Sequence, residues 1–150
     1  MCGISGFIGF EGTTDDELRT TCEQMSSQMI HRGPDSNGIW VDKNFGLALG
    51  HRRLSILDLS ENGNQPMRSK SDRYVIIFNG EIYNHLELRA EIVNEKNYWN
   101  GNNDTETLLE CIECLGIENT LRRIKGMFAF VLWDKKNKTI TLARDRIGEK

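Results

Sequence analysis

One hundred and fifty residues suffice for one domain with its own core, without disulfides or a metal to staple it. The formal net charge of −3 and a pI near 5.6 argue against a nucleic-acid or anionic-membrane surface, which needs a basic patch. No apolar run approaches the roughly 18–20 residues of a membrane span, no basic-then-apolar leader opens the chain, and the four cysteines do not form a secreted disulfide framework. A cytoplasmic protein is expected.

The chain opens Met1-Cys2-Gly3-Ile4-Ser5-Gly6. Removal of Met1 would leave Cys2 with a thiol and a free α-amine on one residue. Their reference pKa values, roughly 8.5 and 7.7–8.0, let one take the other's proton near neutrality. That is the logic of an N-terminal nucleophile, whose base comes attached; the alternative is a small buried residue opening a strand. Residues 4–10 alternate bulky and small side chains and predict a strand. Thr13-Thr14-Asp15-Asp16-Glu17 is a helix-start signal, and Leu18, Cys22, Met25 and Met29 form the apolar stripe of a helix ending near Ile30, before Gly33-Pro34. The two methionines read as core filler.

Short strands are predicted at 38–41 and 47–49, followed by a loop from His51 to Met67 that carries apolar anchors. The run Tyr74-Val75-Ile76-Ile77-Phe78 predicts a central strand covered on both faces. It is expected to stop at the turn pair Asn79-Gly80. A second helix is expected over 84–95, and a third opening with Asp104 as its N-cap and carrying Leu108, Ile112 and Leu115 on one face. Residues 127–133 and 139–143 read as paired strands. Tight spacings between strands make the sheets largely antiparallel, in a mixed layered domain of 1–150.

Several polar segments stand out from this frame. After Cys2 come His31-Arg32-Gly33-Pro34-Asp35, His51-Arg52-Arg53-Leu54-Ser55-Ile56, Phe78-Asn79-Gly80-Glu81-Ile82-Tyr83-Asn84 and Asn103-Asp104-Thr105-Glu106. Gly126-Met127-Phe128-Ala129-Phe130 and Arg144-Asp145-Arg146-Ile147-Gly148 follow. Together they resemble the glutaminase domain of class II glutamine amidotransferases, the N-terminal-nucleophile hydrolases. The spelling His-Arg-Gly-Pro-Asp with Asn-Gly-Glu-Ile-Tyr-Asn is most similar to the glutamine-hydrolysing asparagine synthetases. The resemblance spans essentially the whole chain.

The resemblance implies an α+β fold: a four-layer α/β/β/α sandwich of two antiparallel sheets, hydrolysing glutamine to glutamate and ammonia. Cys2 would be the nucleophile, giving a γ-glutamyl thioester. Asn79 and Gly80 would offer a side-chain amide and a backbone N–H as an oxyanion hole. The planar fork of Arg53 suits the substrate carboxylate, with Arg52 beside it read as a surface arginine. Glu81 and Asp104 are the candidates for the substrate ammonium, and the backbone around Leu54 and Ile56 is implied to complete the pocket. The His31–Asp35 segment reads as a structural turn beside the site, and His51 is not needed as a base. The pair Cys111 and Cys114 lacks further ligands, so no metal is expected.

The family's Arg-Asp-Arg-x-Gly-x-Lys motif runs on into further strands, whereas this chain stops at Lys150. A C-terminally incomplete domain is therefore expected, with apolar sheet edges left open and a synthetase domain absent. No cofactor is expected in this fragment; ATP and Mg would belong to the synthetase domain, which would use the ammonia on aspartate. Expected partners are glutamine and that domain, with a homodimer possible and neither nucleic acid nor membrane. Open alternatives are a sugar- or antibiotic-pathway amidotransferase and a non-catalytic glutamine-sensing module.

Overall fold

The alternations in the sequence fold into two antiparallel sheets stacked face to face. The computed structural model describes residues 2–55, 60–92 and 99–150. The first sheet has β1 (Gly3–Ile8), β2 (Ser36–Asp42) and β3 (Leu47–Arg53), with β3 in the middle. The second has β4 (Met67–Arg68), β5 (Tyr74–Ile82), β6 (Gly126–Asp134) and β7 (Thr139–Arg144), in that spatial order. Because side chains alternate along a strand, Leu47 and Leu49 of β3 meet Val75 and Ile77 of β5 and Trp133 of β6 in a core between the sheets. Each such fully buried side chain contributes about 1.5–3 kcal/mol.

The opposite faces are covered by helices. α1 (Asp15–Ser27) lies on the first sheet through Leu18 and Cys22, which meet Ala48 of β3. Thr14 and Glu17 close a reciprocal capping box at its start: Thr14 N–H donates to Glu17 Oε2 at 2.8 Å, and Glu17 N–H to Thr14 Oγ1 at 3.3 Å. α2 (His85–Ile92) and α3 (Asp104–Leu115) cover the second sheet. There Leu88, Leu108 and Ile112 meet Ile76, Phe78 and Phe130 in the larger core. A short α4 (Ile117–Arg123) follows Gly116, whose φ of 77° ends α3. The layers are thus helix, sheet, sheet, helices, as the resemblance implied.

Several local expectations need correction. α1 ends at Ser27, and its buried stripe is Leu18, Cys22 and Ser26, while Met25 is exposed. The helix turns Ser26 inward because its hydroxyl pairs with Ser5 Oγ of β1 at 3.0 Å. β3 does not stop at Leu49 but runs through His51 to Arg53, held by its ladders to β1 and β2. β5 likewise continues through Asn79-Gly80 to Ile82, each residue paired with β6. The expected 84–95 helix is observed as α2, and residues 93–95 lie outside the described ones. Along the β1 and β7 edges an apolar groove of about 740 Å³ runs between the sheets, with Leu142 74% exposed. No helix among the described residues is long and apolar enough to cross a membrane.

Candidate active site

The two strands that overran their expected ends carry the site. On β3, alternation puts His51 and Arg53 on the inner face after Leu47 and Leu49; on β5, Asn79 and Glu81 follow Val75 and Ile77 inward. The ends of β3 and β5 therefore converge. With Cys2 at the start of β1 and Asp104 at the start of α3, they line one cleft of about 110 Å³. The cleft brings together seven of the eight expected residues: Cys2, Arg53, Leu54, Asn79, Gly80, Glu81 and Asp104. The eighth, Ile56, lies outside the described residues.

Cys2 is half-buried, with its sulfur held against the backbone of Leu54. The Leu54 N–H donates to Sγ at 3.4 Å, and the thiol donates to the Leu54 carbonyl at 3.7 Å. The expected structural turn holds this corner in place. Arg32 Nε donates to the Cys2 carbonyl at 3.4 Å, and Asp35 takes the Ser55 N–H on its carboxylate at 2.7 Å while donating its own N–H to the Arg53 carbonyl at 3.0 Å. Gly33 lies so close that a Cβ would overlap the carbonyl group of Arg52. Arg52 is not a plain surface arginine as expected. It is half-buried, and its Nε is buried with no hydrogen-bond partner among the described residues.

The Arg53 guanidinium is buried and oriented before any ligand arrives. Nη1 donates to the Ser60 carbonyl at 2.8 Å and to Asn64 Oδ1 at 3.1 Å, and Gly63 packs flat against the group. Asn79 and Gly80 are strand residues, not a turn. The glycine is required by close approach, since a Cβ at position 80 would overlap the Met127 carbonyl oxygen and crowd Phe128 Cα on β6.

Asp104 is likewise not the N-cap of α3. That role falls to Asn103, whose Oδ1 accepts the Glu106 N–H at 2.8 Å. The Asp104 carboxylate is released toward the cleft and accepts the Ile82 N–H at 2.8 Å. Burial pushes its carboxyl above the ordinary range, against the pull of that N–H and of nearby His85. A cation in the cleft would relieve this burial penalty.

Two lining residues carried no recognisable role in the sequence. Gln65 joins the walls, accepting the Phe78 N–H at 2.6 Å and donating to Thr105 Oγ1 at 3.3 Å. Lys150 reaches the cleft because the Asp145 carboxylate gathers the N–H groups of Gly148 at 2.7 Å, Glu149 at 2.9 Å and Lys150 at 3.0 Å. These bonds, the one from Glu149 foremost, hold the Asp145 carboxyl at about 2. The Arg-Asp-Arg-x-Gly spelling was the available signal.

His51 is away from the cleft. Its Nε2 must carry the proton, because the partner at 3.1 Å is the Phe78 carbonyl, and burial lowers the imidazole to about 4. Cys111 is buried within α3, which pushes its thiol up to about 11, and Cys114 is exposed. Among the described residues no cluster of three or more histidine, cysteine or carboxylate side chains could hold a metal.

A convergent polar cleft at the ends of two stacked antiparallel sheets, with a cysteine beside the first strand, matches the fold class of the N-terminal-nucleophile amidotransferases. The chain belongs to the glutamine amidotransferase domain family, whose model matches residues 1–150. It is 41% identical over 153 residues to the glutamine-hydrolysing asparagine synthetase 1 of Bacillus subtilis, covering 100% of this chain and 23% of that protein. It is 40% identical over 148 residues to the glutamine-hydrolysing asparagine synthetase B of Escherichia coli, covering 99% of this chain and 26% of that protein. The chain thus spans about a quarter of the length of these curated relatives. Among solved structures it is similar to the glutamine phosphoribosylpyrophosphate amidotransferase of Bacillus subtilis, solved with ADP and GMP. The TM-score is 0.54 at 25% identity, over 67% of this chain and 23% of that one.

Proposed function

We propose that this domain hydrolyses glutamine to glutamate and ammonia through a thioester on Cys2. Removal of Met1 frees the α-amine of Cys2, which takes the thiol proton. The sulfur attacks the side-chain carboxamide carbon and a C–S bond forms. Asn79 Nδ2 and the Gly80 N–H stabilise the oxyanion. The C–N bond then breaks, and ammonia leaves with the proton the α-amine had taken. Water, deprotonated by the same amine, opens the thioester to give glutamate and the free thiol. Arg53 grips the substrate carboxylate, Asp104 and Glu81 its ammonium, and Leu54 steadies the sulfur.

The observation that carries this reading is the arrangement of the cleft. One nucleophile held by a backbone N–H faces a buried arginine and a buried aspartate, the charges that a zwitterionic amino acid presents in reverse. We further propose that the ammonia serves ATP- and Mg-dependent asparagine synthesis from aspartate in a synthetase domain of the full-length enzyme. A cytoplasmic location and a homodimer belong to the same proposal. The similarity to two asparagine synthetases supports this acceptor over a sugar- or antibiotic-pathway one, and the intact polar cleft favours catalysis over sensing.

The test is an intact-mass spectrum before and after exposure to a glutamine-shaped thiol alkylator. Loss of Met1 and a single added label on Cys2 is the expected result. Processed protein that takes no label at Cys2 would sink the hydrolytic reading.

A further inference from the structure

Behind the cleft, α2 and α3 bury a pair of opposite charges that the chemistry at Cys2 does not use. Arg89, 8% exposed, has its guanidinium engaged on every side. Nε donates to Thr107 Oγ1 at 2.6 Å, Nη1 to the Gly101 carbonyl at 2.8 Å and Nη2 to the Asn103 carbonyl at 2.8 Å. Its flat face lies 4.1 Å from the Trp99 ring centre. Glu106, 7% exposed, stands 3.6 Å from Nη2 and accepts the N–H groups of Asn100 at 2.8 Å and Gly101 at 3.1 Å. One charge holds the carbonyls of segment 100–103 and the other its amides. Replacing a buried ion pair by apolar packing is often neutral or stabilising, so net stability is a poor account of this pair. What it specifies is the conformation of the segment.

That segment leads directly into Asp104. It also reaches across to the opposite wall through a reciprocal pair: Asn62 Nδ2 donates to the Asn100 carbonyl at 2.6 Å, and Asn103 Nδ2 to the Asn62 carbonyl at 3.3 Å. Asn62 belongs to the 3-10 turn Glu61–Gly63. The flanks of that turn, Ser60 and Asn64, hold Arg53. A path of hydrogen bonds and short stretches of chain therefore joins the two side chains proposed to bind the substrate's charged end, and Arg89 and Glu106 brace its segment 100–103.

We propose that the buried Arg89–Glu106 pair is a positioning device that sets the spacing of Arg53 and Asp104, so that it governs recognition of the α-amino acid end of the substrate and leaves the reactivity of Cys2 untouched. This rests on the glutamine reading of the cleft. In that division of labour, Arg89, Glu106 and Asn62 act on affinity, whereas Asn79 and Gly80 act on the bond-breaking step.

The test compares two reagents on Cys2, with labelling rates followed by peptide mass spectrometry so that the other thiols do not interfere. Iodoacetamide is too small to need the grips; a glutamine-shaped electrophile with a free amine and carboxylate needs both. In Arg89→Met, Glu106→Gln and Asn62→Ala, the glutamine-shaped reagent is expected to lose about tenfold or more in rate, with iodoacetamide within about twofold of wild type. Asn62 is exposed, so its truncation leaves the core intact and keeps the test decisive even if Arg89→Met fails to fold. Arg89→Lys, which keeps the charge, is expected to recover part of the selectivity. Unchanged selectivity in both Asn62→Ala and Glu106→Gln would overturn the inference. A wild-type protein with no preference for the glutamine-shaped reagent would instead overturn the glutamine reading itself.

Discussion

Asp104→Asn separates binding from stability in this cleft. The amide is nearly isosteric, and its oxygen can accept the Ile82 N–H that the carboxylate accepts at 2.8 Å, so the start of α3 should not move. What is lost, on the role proposed above, is the charge facing the substrate ammonium. A hydrogen bond to a charged group is worth about 1.5–3 kcal/mol, which converts to roughly 10- to 150-fold in KM for glutamine. Stability should move the other way. Burial raises the Asp104 carboxyl above its ordinary value, so the folded state binds this proton more tightly than the unfolded chain does, and ionisation at neutral pH subtracts from stability. Asparagine has no such penalty, and its melting temperature should match or exceed wild type. The assay is ammonia release from glutamine and from glutaramate, which lacks the α-amine, alongside a thermal melt. Wild type and variant should converge on glutaramate. In wild type alone, KM for glutamine should rise on acidification at a higher pH than an ordinary carboxylate would dictate. An unchanged KM for glutamine, or an equal loss on both substrates, would refute the assigned role.

Two further outcomes concern the strands that carry the site. His51 is buried neutral and titrates at about 4, below its ordinary value of 6.5. The unfolded chain takes up this proton first, so the stability it confers is present above 6.5 and lost as pH falls toward about 4. The whole window is worth about 3 kcal/mol, and urea unfolding at pH 7.5 and 5 should show a wild-type loss that His51→Gln does not share. Gly80→Ala would drive a Cβ into the Met127 carbonyl and should destabilise the domain by about 1–3 kcal/mol, with kcat falling more than KM rises; a variant of full stability and activity would show that β5 and β6 can part freely.

The layered architecture was legible because its strongest signals are local. Tyr74–Phe78 is apolar on both faces, and the structure buries it between a helix layer and a sheet. The Thr14–Glu17 box announced α1 by capping chemistry alone. The misreadings fall where a long-range contact overrides a local preference. Asn79-Gly80 spells a turn, yet β6 passes too close for a side chain, so glycine serves the ladder instead. His51, Arg52 and Arg53 spell a loop, yet β2 pairs with all three and β1 with the first two, and together they extend β3. Asn103 and Asp104 are both competent caps, and only the fold decides which carboxamide or carboxylate faces Glu106 and which the cleft. Gln65 offered no local signal at all, since its partners Phe78 and Thr105 are brought to it by the fold. The site residues themselves were found through the spelling of several motifs together, and seven of them meet in one cleft.

Arg53 and Leu54 are neighbours in the chain, and this adjacency has its own consequence. Leu54 holds the sulfur through its backbone, while Arg53 anchors the far end of the substrate on the roles proposed above. The interval between them is a single peptide unit, about 3.8 Å from Cα to Cα. Any shift at the end of β3 therefore carries the holder of the sulfur and the root of the Arg53 side chain together. Within that shared displacement, the contacts of the Arg53 guanidinium with Ser60 and Asn64 trim its reach, so the wall opposite β3 adjusts the grip without moving the nucleophile's holder.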